Sequence, residues 1–285
     1  MPMNVRIAAL VAVAWLSGPA IAEEADKGDK SRYTLFDPTP VAKLREFDPD
    51  RPGLSHDPAT IDAGHVQFET GAFEHVFDPR ARSVGSTRRY SFGDTYARIG
   101  VTNDTEVQVG APIGNLLRMG GDDPSQARGF GDTTVAMKTN LIGNDGGNHI
   151  LAIYPSLKVP TAARGLGNDH VEGMVSIPYN YKILDSLLLT LEPSAGVLRD
   201  TANTRYRDAY GMIVGFDAII AKTLIASVEV ATQTSTAGKE RTMWGVSPSL
   251  AVIVDKNLQL DCGAVLGLNK ATPRYSPYVG ISARF

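Results

Sequence analysis

The stretch "YSPYVGISARF", residues 275–285, closes the chain, and its reading decides the fold. Apolar residues occupy every second position, at Val279, Ile281, Ala283 and Phe285, while Gly280, Ser282 and Arg284 take the alternate places. A period of two belongs to a strand, whose successive side chains point to opposite faces. Chain ends fray unless they are tied down, so alternation that continues to Phe285 predicts a final strand held by neighbours.

Working outward, the same period recurs. "NLQLDCGAVLGLN" sets Leu258, Leu260, Cys262, Ala264, Leu266 and Leu268 against Gln259, Asp261, Gly263, Val265 and Gly267. "GMIVGFDAII", "TLIASVEVA" and "WGVSPSLAVIVD" behave alike, each with one apolar face and one small or polar face. Twelve such segments are predicted, over 64–75, 90–102, 105–114, 129–141, 148–159, 170–183, 186–198, 209–221, 223–232, 242–254, 257–268 and 276–285. Tight turns follow the even segments, as at Asn103-Asp104, "GNDGG" (143–147) and Asp255-Lys256. Longer polar stretches follow the odd ones, as in "NLLRMGGDDPSQAR" (115–128) and "RDTANTRYR" (199–207).

An even strand count with short turns at one end and long loops at the other defines an all-β, antiparallel, up-and-down transmembrane barrel. Hydrocarbon offers no hydrogen-bond partners, so a sheet inside it must close on itself. Phe285 then ends the strand that pairs with the first. Tyr210, Trp244 and Tyr275 fall on the apolar parity near the long-loop ends, and Tyr179, Tyr181 and Phe285 near the short-turn ends. Two such belts are what amphipathic rings adopt at membrane interfaces. A secreted β-sandwich would share the period but would need neither belts nor alternating loop lengths.

The first 22 residues read as a secretory signal peptide. Arg6 supplies the positive charge, Ile7 to Leu16 the apolar core, and Ala20-Ile21-Ala22 the small-x-small cleavage pattern. Cleavage near Ala22 and the barrel pattern together place the mature chain in the outer membrane of a Gram-negative bacterium. Residues 23–63 carry Pro38, Pro40, Pro49, Pro52 and Pro58 and read as a periplasmic arm or partial plug, with one helix-like piece at 41–47. The barrel is expected over 64–285. One cysteine excludes an internal disulfide framework, and a net charge of -3 gives no reason to invoke nucleic acid. His56, His65, His75 and His149 lack metal-site spacing, and no cofactor is implied.

Several stretches carry a family resemblance. "GFGDTTVAMKTNL" (129–141), "LKVPT" (157–161), "FDPDRPGLSHDPATIDAGHVQFETG" (47–71) and the closing "LQLDCGAVLGLNKATPRYSPYVGISARF" resemble an outer-membrane β-barrel family labelled phenol meta-pathway degradation, or simply "transporter". The resemblance implies a barrel associated with uptake of aromatic or other hydrophobic compounds.

The polar parity carries Glu69, Arg98, Glu106, Asp132, Lys138, Lys158, Glu172, Lys182, Glu192, Asp217, Glu229, Asp261 and Arg284. Arg or Lys facing lipid at the midplane costs about 2–4 kcal/mol, so these residues are expected to line the lumen. Asp48, Asp50 and Arg51 of the arm could pair with Lys138, Lys158, Lys182 or Glu192 and restrict flow. The expected activity is passive passage of small hydrophobic or aromatic solutes. Its rivals are a barrel enzyme acting on lipid and a closed structural barrel. Asp169, His170 and Ser176 form the one grouping from which a catalytic site could be built. The remaining expected partners are outer-membrane lipid and, through the C-terminal strand, the barrel-assembly machinery.

Overall fold

The computed structural model describes residues 29–81, 85–121, 124–200, 205–235 and 242–285. The expected signal peptide, and the start of the arm through residue 28, lie outside them. Twelve antiparallel strands form the wall: β1 Val66–Ala81, β2 Gly85–Gly100, β3 Thr105–Met119, β4 in two pieces (Ser125–Gly129 and Thr133–Ile142), β5 His149–Val159, β6 in two pieces (Glu172–Ser176 and Tyr179–Leu184), β7 Leu187–Asp200, β8 Arg205–Ala221, β9 Leu224–Ser235, β10 Met243–Asp255, β11 Leu258–Gly267 and β12 Tyr275–Arg284. Each pairs with its sequence neighbours, and β12 pairs with β1 from Gln67↔Arg284 to Phe77↔Tyr275. The barrel is closed. At the seam the Phe285 N–H donates to Val66 O at 2.8 Å, and its ring lies 6.0 Å from that of Phe68.

The two interruptions have local causes. β4 breaks after Gly129, whose φ of 142° suits a residue without a side chain. β6 breaks at Pro178, which has no N–H to give the ladder.

Burial is inside out. Along β10, Met243, Gly245, Ser247, Ser249 and Ala251 are buried toward the lumen, while Trp244, Leu250 and Val252 are 45%, 43% and 44% exposed. The largest buried side chains include Arg98, Lys138, Gln108, Glu106, Gln259 and Glu192. A globular protein in water reverses this arrangement; a barrel wall facing lipid requires it. Cys262 is exposed on the outer face. Tyr210, Trp244 and Phe285 stand on that face, as do Tyr179, Tyr181 and Tyr275, which alternate with buried Asn180 and Ser276.

Three sequence expectations change in detail. Residues 115–128 are mostly strand: β3 runs to Met119 and β4 starts at Ser125. The same holds for 199–207, since β7 reaches Asp200 and β8 begins at Arg205. Polar residues end a strand only where its neighbours also stop, and here both partners of each hairpin continue past the apolar band. The helix-like piece at 41–47 shrinks to a single 3-10 turn, Val41–Lys43, and the chain is extended again at Leu44.

Candidate functional site: the lumen and its N-terminal arm

The arm first fixes itself to the short-turn rim. Thr34 bridges Thr102 next to the β2–β3 turn. The Lys30 ammonium lies 3.0 Å from Asp62 and 2.6 Å from Asp145 in the "GNDGG" turn. Arg45 Nε donates to the same Asp145 at 3.0 Å, and its Nη2 to Asn103 O at 3.0 Å. Residues 45–62 then run into the barrel and return to β1.

Inside, carboxylates of the wall accept hydrogen bonds from the backbone of this segment. Glu69 on β1 accepts from Asp50 N and Arg51 N, both at 3.1 Å. Glu229 on β9 accepts from Leu54 N, Ser55 N and Ser55 Oγ. Glu192 on β7 accepts from His56 N at 2.6 Å and meets His56 Nδ1 at 2.9 Å. A turn presents several N–H groups to one side and has no ladder to satisfy them, so acidic wall residues are its natural partners.

Two ion-pair groups lock the segment. Asp50 sits 2.7 Å from Lys138 and 3.3 Å from Arg98, and Arg98 Nε also reaches Glu106 at 2.9 Å. Across the lumen, Arg51 makes a two-pronged contact with Asp261 at 2.6 and 3.1 Å, with its guanidinium 5.6 Å from the Tyr278 ring centre. Gly280 and Gly71 make room for that guanidinium: a Cβ on Gly280 would clash with Nη2, Nε and Cζ, and one on Gly71 would stand 3.3 Å from Nη1.

These surroundings set the arm's titration. Burial would raise Asp50, but Arg98 and Lys138 outweigh it and hold the carboxyl well below its usual range. Asp48 meets lumen water, yet enclosure and then the neighbouring Asp217 bring it to about 6. Burial, followed by the charge of Asp48, holds Asp57 well above the usual range. At the rim, hydrogen bonds from Lys30 and Arg45 overcome the effect of burial and draw Asp145 down to about 2.

A cavity of about 260 Å³ remains between the arm and the wall, bounded by Leu54, Ser55, His56, Tyr96, Gln108 and Tyr154 among others. The His56 and Tyr154 rings lie 4.1 Å apart, and Tyr154 donates to Gln108 at 2.9 Å.

The sequence candidates separate into groups. Glu69, Arg98 and Lys138 meet Asp50, Glu106 accepts from Ile61 N at 2.7 Å while pairing with Arg98, and Glu192, Glu229 and Asp261 meet residues 51–56. Asp217 accepts from Thr190 at 3.2 Å. Lys158 bonds Asp132 at 2.9 Å and lies 3.4 Å from Glu172, so it does not hold the arm. Lys182 is exposed near the short turns, and Arg284 donates to Arg45 O at 2.8 Å on the rim. Arg51 pairs with Asp261 rather than with Glu192. The His170 ring lies 6.3 Å from that of Tyr206, and among the described residues no hydrogen bond joins it to Ser176. Sequence reading missed the carboxylate-to-backbone contacts altogether. The one available signal was the row of acidic residues on the small-residue parity opposite a Pro- and Gly-rich segment.

A closed twelve-strand barrel with an apolar exterior and a charged, partly filled lumen is an outer-membrane β-barrel of porin-like fold. A family model described as "Putative MetA-pathway of phenol degradation" matches residues 49–285, and the chain belongs to that family. The match begins inside the arm. Among solved structures, the COG4313 outer membrane channel from Pseudomonas putida F1 is similar at a TM-score of 0.61 and 14% identity, covering 78% of this chain and 95% of that one. The NanC porin is similar at 0.48 and 6% identity, over 77% and 97% of the two chains. Comparison with curated proteins finds no match.

Proposed function

We propose that the protein is a passive outer-membrane channel for small aromatic or other hydrophobic solutes, and that residues 45–62 act as its partial plug. The observation that carries this reading is the arm itself, drawn into the lumen by Glu69, Glu192, Glu229 and Asp261 and leaving a cavity of about 260 Å³ beside it. A barrel of this strand number is narrow, between side-chain-filled eight-strand barrels and open sixteen-strand porins. A segment of chain across its middle therefore decides whether a solute passes. Support for the aromatic class comes from the family's description and from the His56 and Tyr154 rings at the cavity. The short turns and the N-terminus face the periplasm, the outward aromatics sit at the two interfaces, and no catalysis is required.

Proteoliposomes holding the purified full-length barrel should take up a radiolabelled monocyclic aromatic solute faster than protein-free vesicles, and faster than a sugar of equal size. Equal rates for the two solutes would remove the aromatic preference. Uptake of neither would favour a closed structural barrel.

A further inference from the structure

At the long-loop end the outer wall carries three arginines that have no acidic partner among the described residues. Arg88 on β2 and Arg118 on β3 are direct cross-strand partners, and Arg128 on β4 lies beside Leu116, two residues along β3 from Arg118. Their parity is fixed by their neighbours. Ser91 and Asn115 are buried and joined by a 2.9 Å hydrogen bond, and Leu117 is 1% exposed, so these residues point into the lumen. Arg88, Arg118 and Arg128 take the opposite parity and are all exposed. Among the described residues none of them has an acidic partner. The inward Arg89 differs, with Glu74 at 3.7 Å.

This arrangement works against the fold. Like charges directly opposite on a sheet are destabilising, and a neutral side chain at any of the three would relieve the repulsion without opening a cavity. The level is informative too. Below Arg88 on the same face, the Tyr90 ring stacks on His75 at 4.6 Å, and the Arg88 guanidinium carbon lies 5.3 Å from the Phe77 ring centre. Rings of this kind mark the membrane–water interface. Arg88 lies two residues beyond Tyr90, about 7 Å further along the strand, which is headgroup height. Guanidinium groups grip phosphate with two parallel hydrogen bonds, and neighbouring guanidiniums can share one phosphate between them.

We propose that Arg88, Arg118 and Arg128 form a docking site for the phosphate groups of a phosphorylated glycolipid headgroup in the leaflet at the long-loop rim. The lipid's charge offsets the repulsion among the three arginines, and its acyl chains continue onto the apolar band below. The site faces the bilayer, outside the lumen, so it does not depend on what passes through the channel.

Native mass spectrometry of the full-length protein tests this. The protein would be released from detergent after incubation with diphosphorylated lipid A, with its dephosphorylated form, with phosphatidylglycerol or with inorganic phosphate. Diphosphorylated lipid A should be retained at least tenfold better than the dephosphorylated form. The triple variant Arg88→Gln, Arg118→Gln, Arg128→Gln should lose that preference. Arg89→Gln should keep it, and the combined Arg88→Lys, Arg118→Lys, Arg128→Lys variant should show only part of it. Heat-modifiable mobility on gels identifies the folded fraction, and the single variant Arg118→Gln provides a milder second test. Equal retention by the parent and the triple variant would overturn the proposal. So would equal retention of phosphatidylglycerol or inorganic phosphate, which would reduce the site to general anion attraction.

Discussion

Replacing Arg51 with alanine removes one half of the contact that ties the arm to β11. The Asp261 side chain is fully buried and that of Arg51 is 21% exposed, so the substitution strands a carboxylate in the wall. Breaking a buried pair by removing one partner costs about 3–5 kcal/mol. Lumen water reaches part of Arg51, which puts the expected cost nearer 2–3 kcal/mol. At 1.4 kcal/mol per factor of ten, the undocked population of the arm should rise roughly 30- to 140-fold. The assay is thiol labelling. In a Cys262→Ser background, a cysteine at Ala59 reports undocking through its rate of reaction with a water-soluble maleimide. Gly280→Ala should act in the same direction with every charge retained, because its Cβ displaces the guanidinium from Asp261. A labelling rate within twofold of the parent for Arg51→Ala would refute the claim that this pair holds the arm.

Glu229→Gln should raise labelling about tenfold, since one amide oxygen cannot replace a carboxylate that accepts from Leu54 N, Ser55 N and Ser55 Oγ; an unchanged rate would deny the carboxylate its role. Labelling, taken relative to the rate of a freely accessible cysteine at the same pH, should also pass through a minimum near pH 4–5. Asp48 and Asp57 are raised in the docked arm, so their contribution is complete at low pH and is lost as pH rises, that of Asp48 through about 6, while the lowered Asp145 contributes above the usual carboxylate range and is lost as pH falls toward about 2. A flat profile from pH 3 to 8 would contradict both shifts. Phe285→Asp should leave little protein in the outer membrane, because the ring that closes the seam against Phe68 also stands in the lipid-facing band; normal levels by membrane fractionation would make that ring incidental. Epitope tags at 120–124 should be labelled on intact cells and tags at 143–147 should not, and the reverse pattern would invert the orientation.

The strand pattern was readable because lipid and lumen enforce opposite chemistry on alternate residues. Val279, Ile281 and Leu260 had to differ from Asp261 and Ser282, and their parity located both faces and the seam. Strand ends were less legible, since beyond the apolar band both faces are polar and Arg88, Arg118 or Tyr206 read equally well as loop. The inward charges were identifiable one at a time. Their partners were not, because period two fixes a residue's face and says nothing of its neighbour across the lumen. Arg51 was legible as a charge that could pair with the wall, but its partner Asp261 lies 210 residues away, and only closure brings the two together. The N–H donors of residues 50–56 were invisible, because backbone groups leave no trace in a side-chain pattern.

Single-channel recording in planar bilayers tests the central claim most directly, with the full-length barrel compared to a variant lacking residues 24–60. The account predicts low conductance from the full-length protein and a clearly larger, steadily open conductance from the deletion, both with the heat-modifiable mobility of a closed barrel. If the two proteins conduct alike, or if the folded deletion passes no current, the arm is not the plug of a channel.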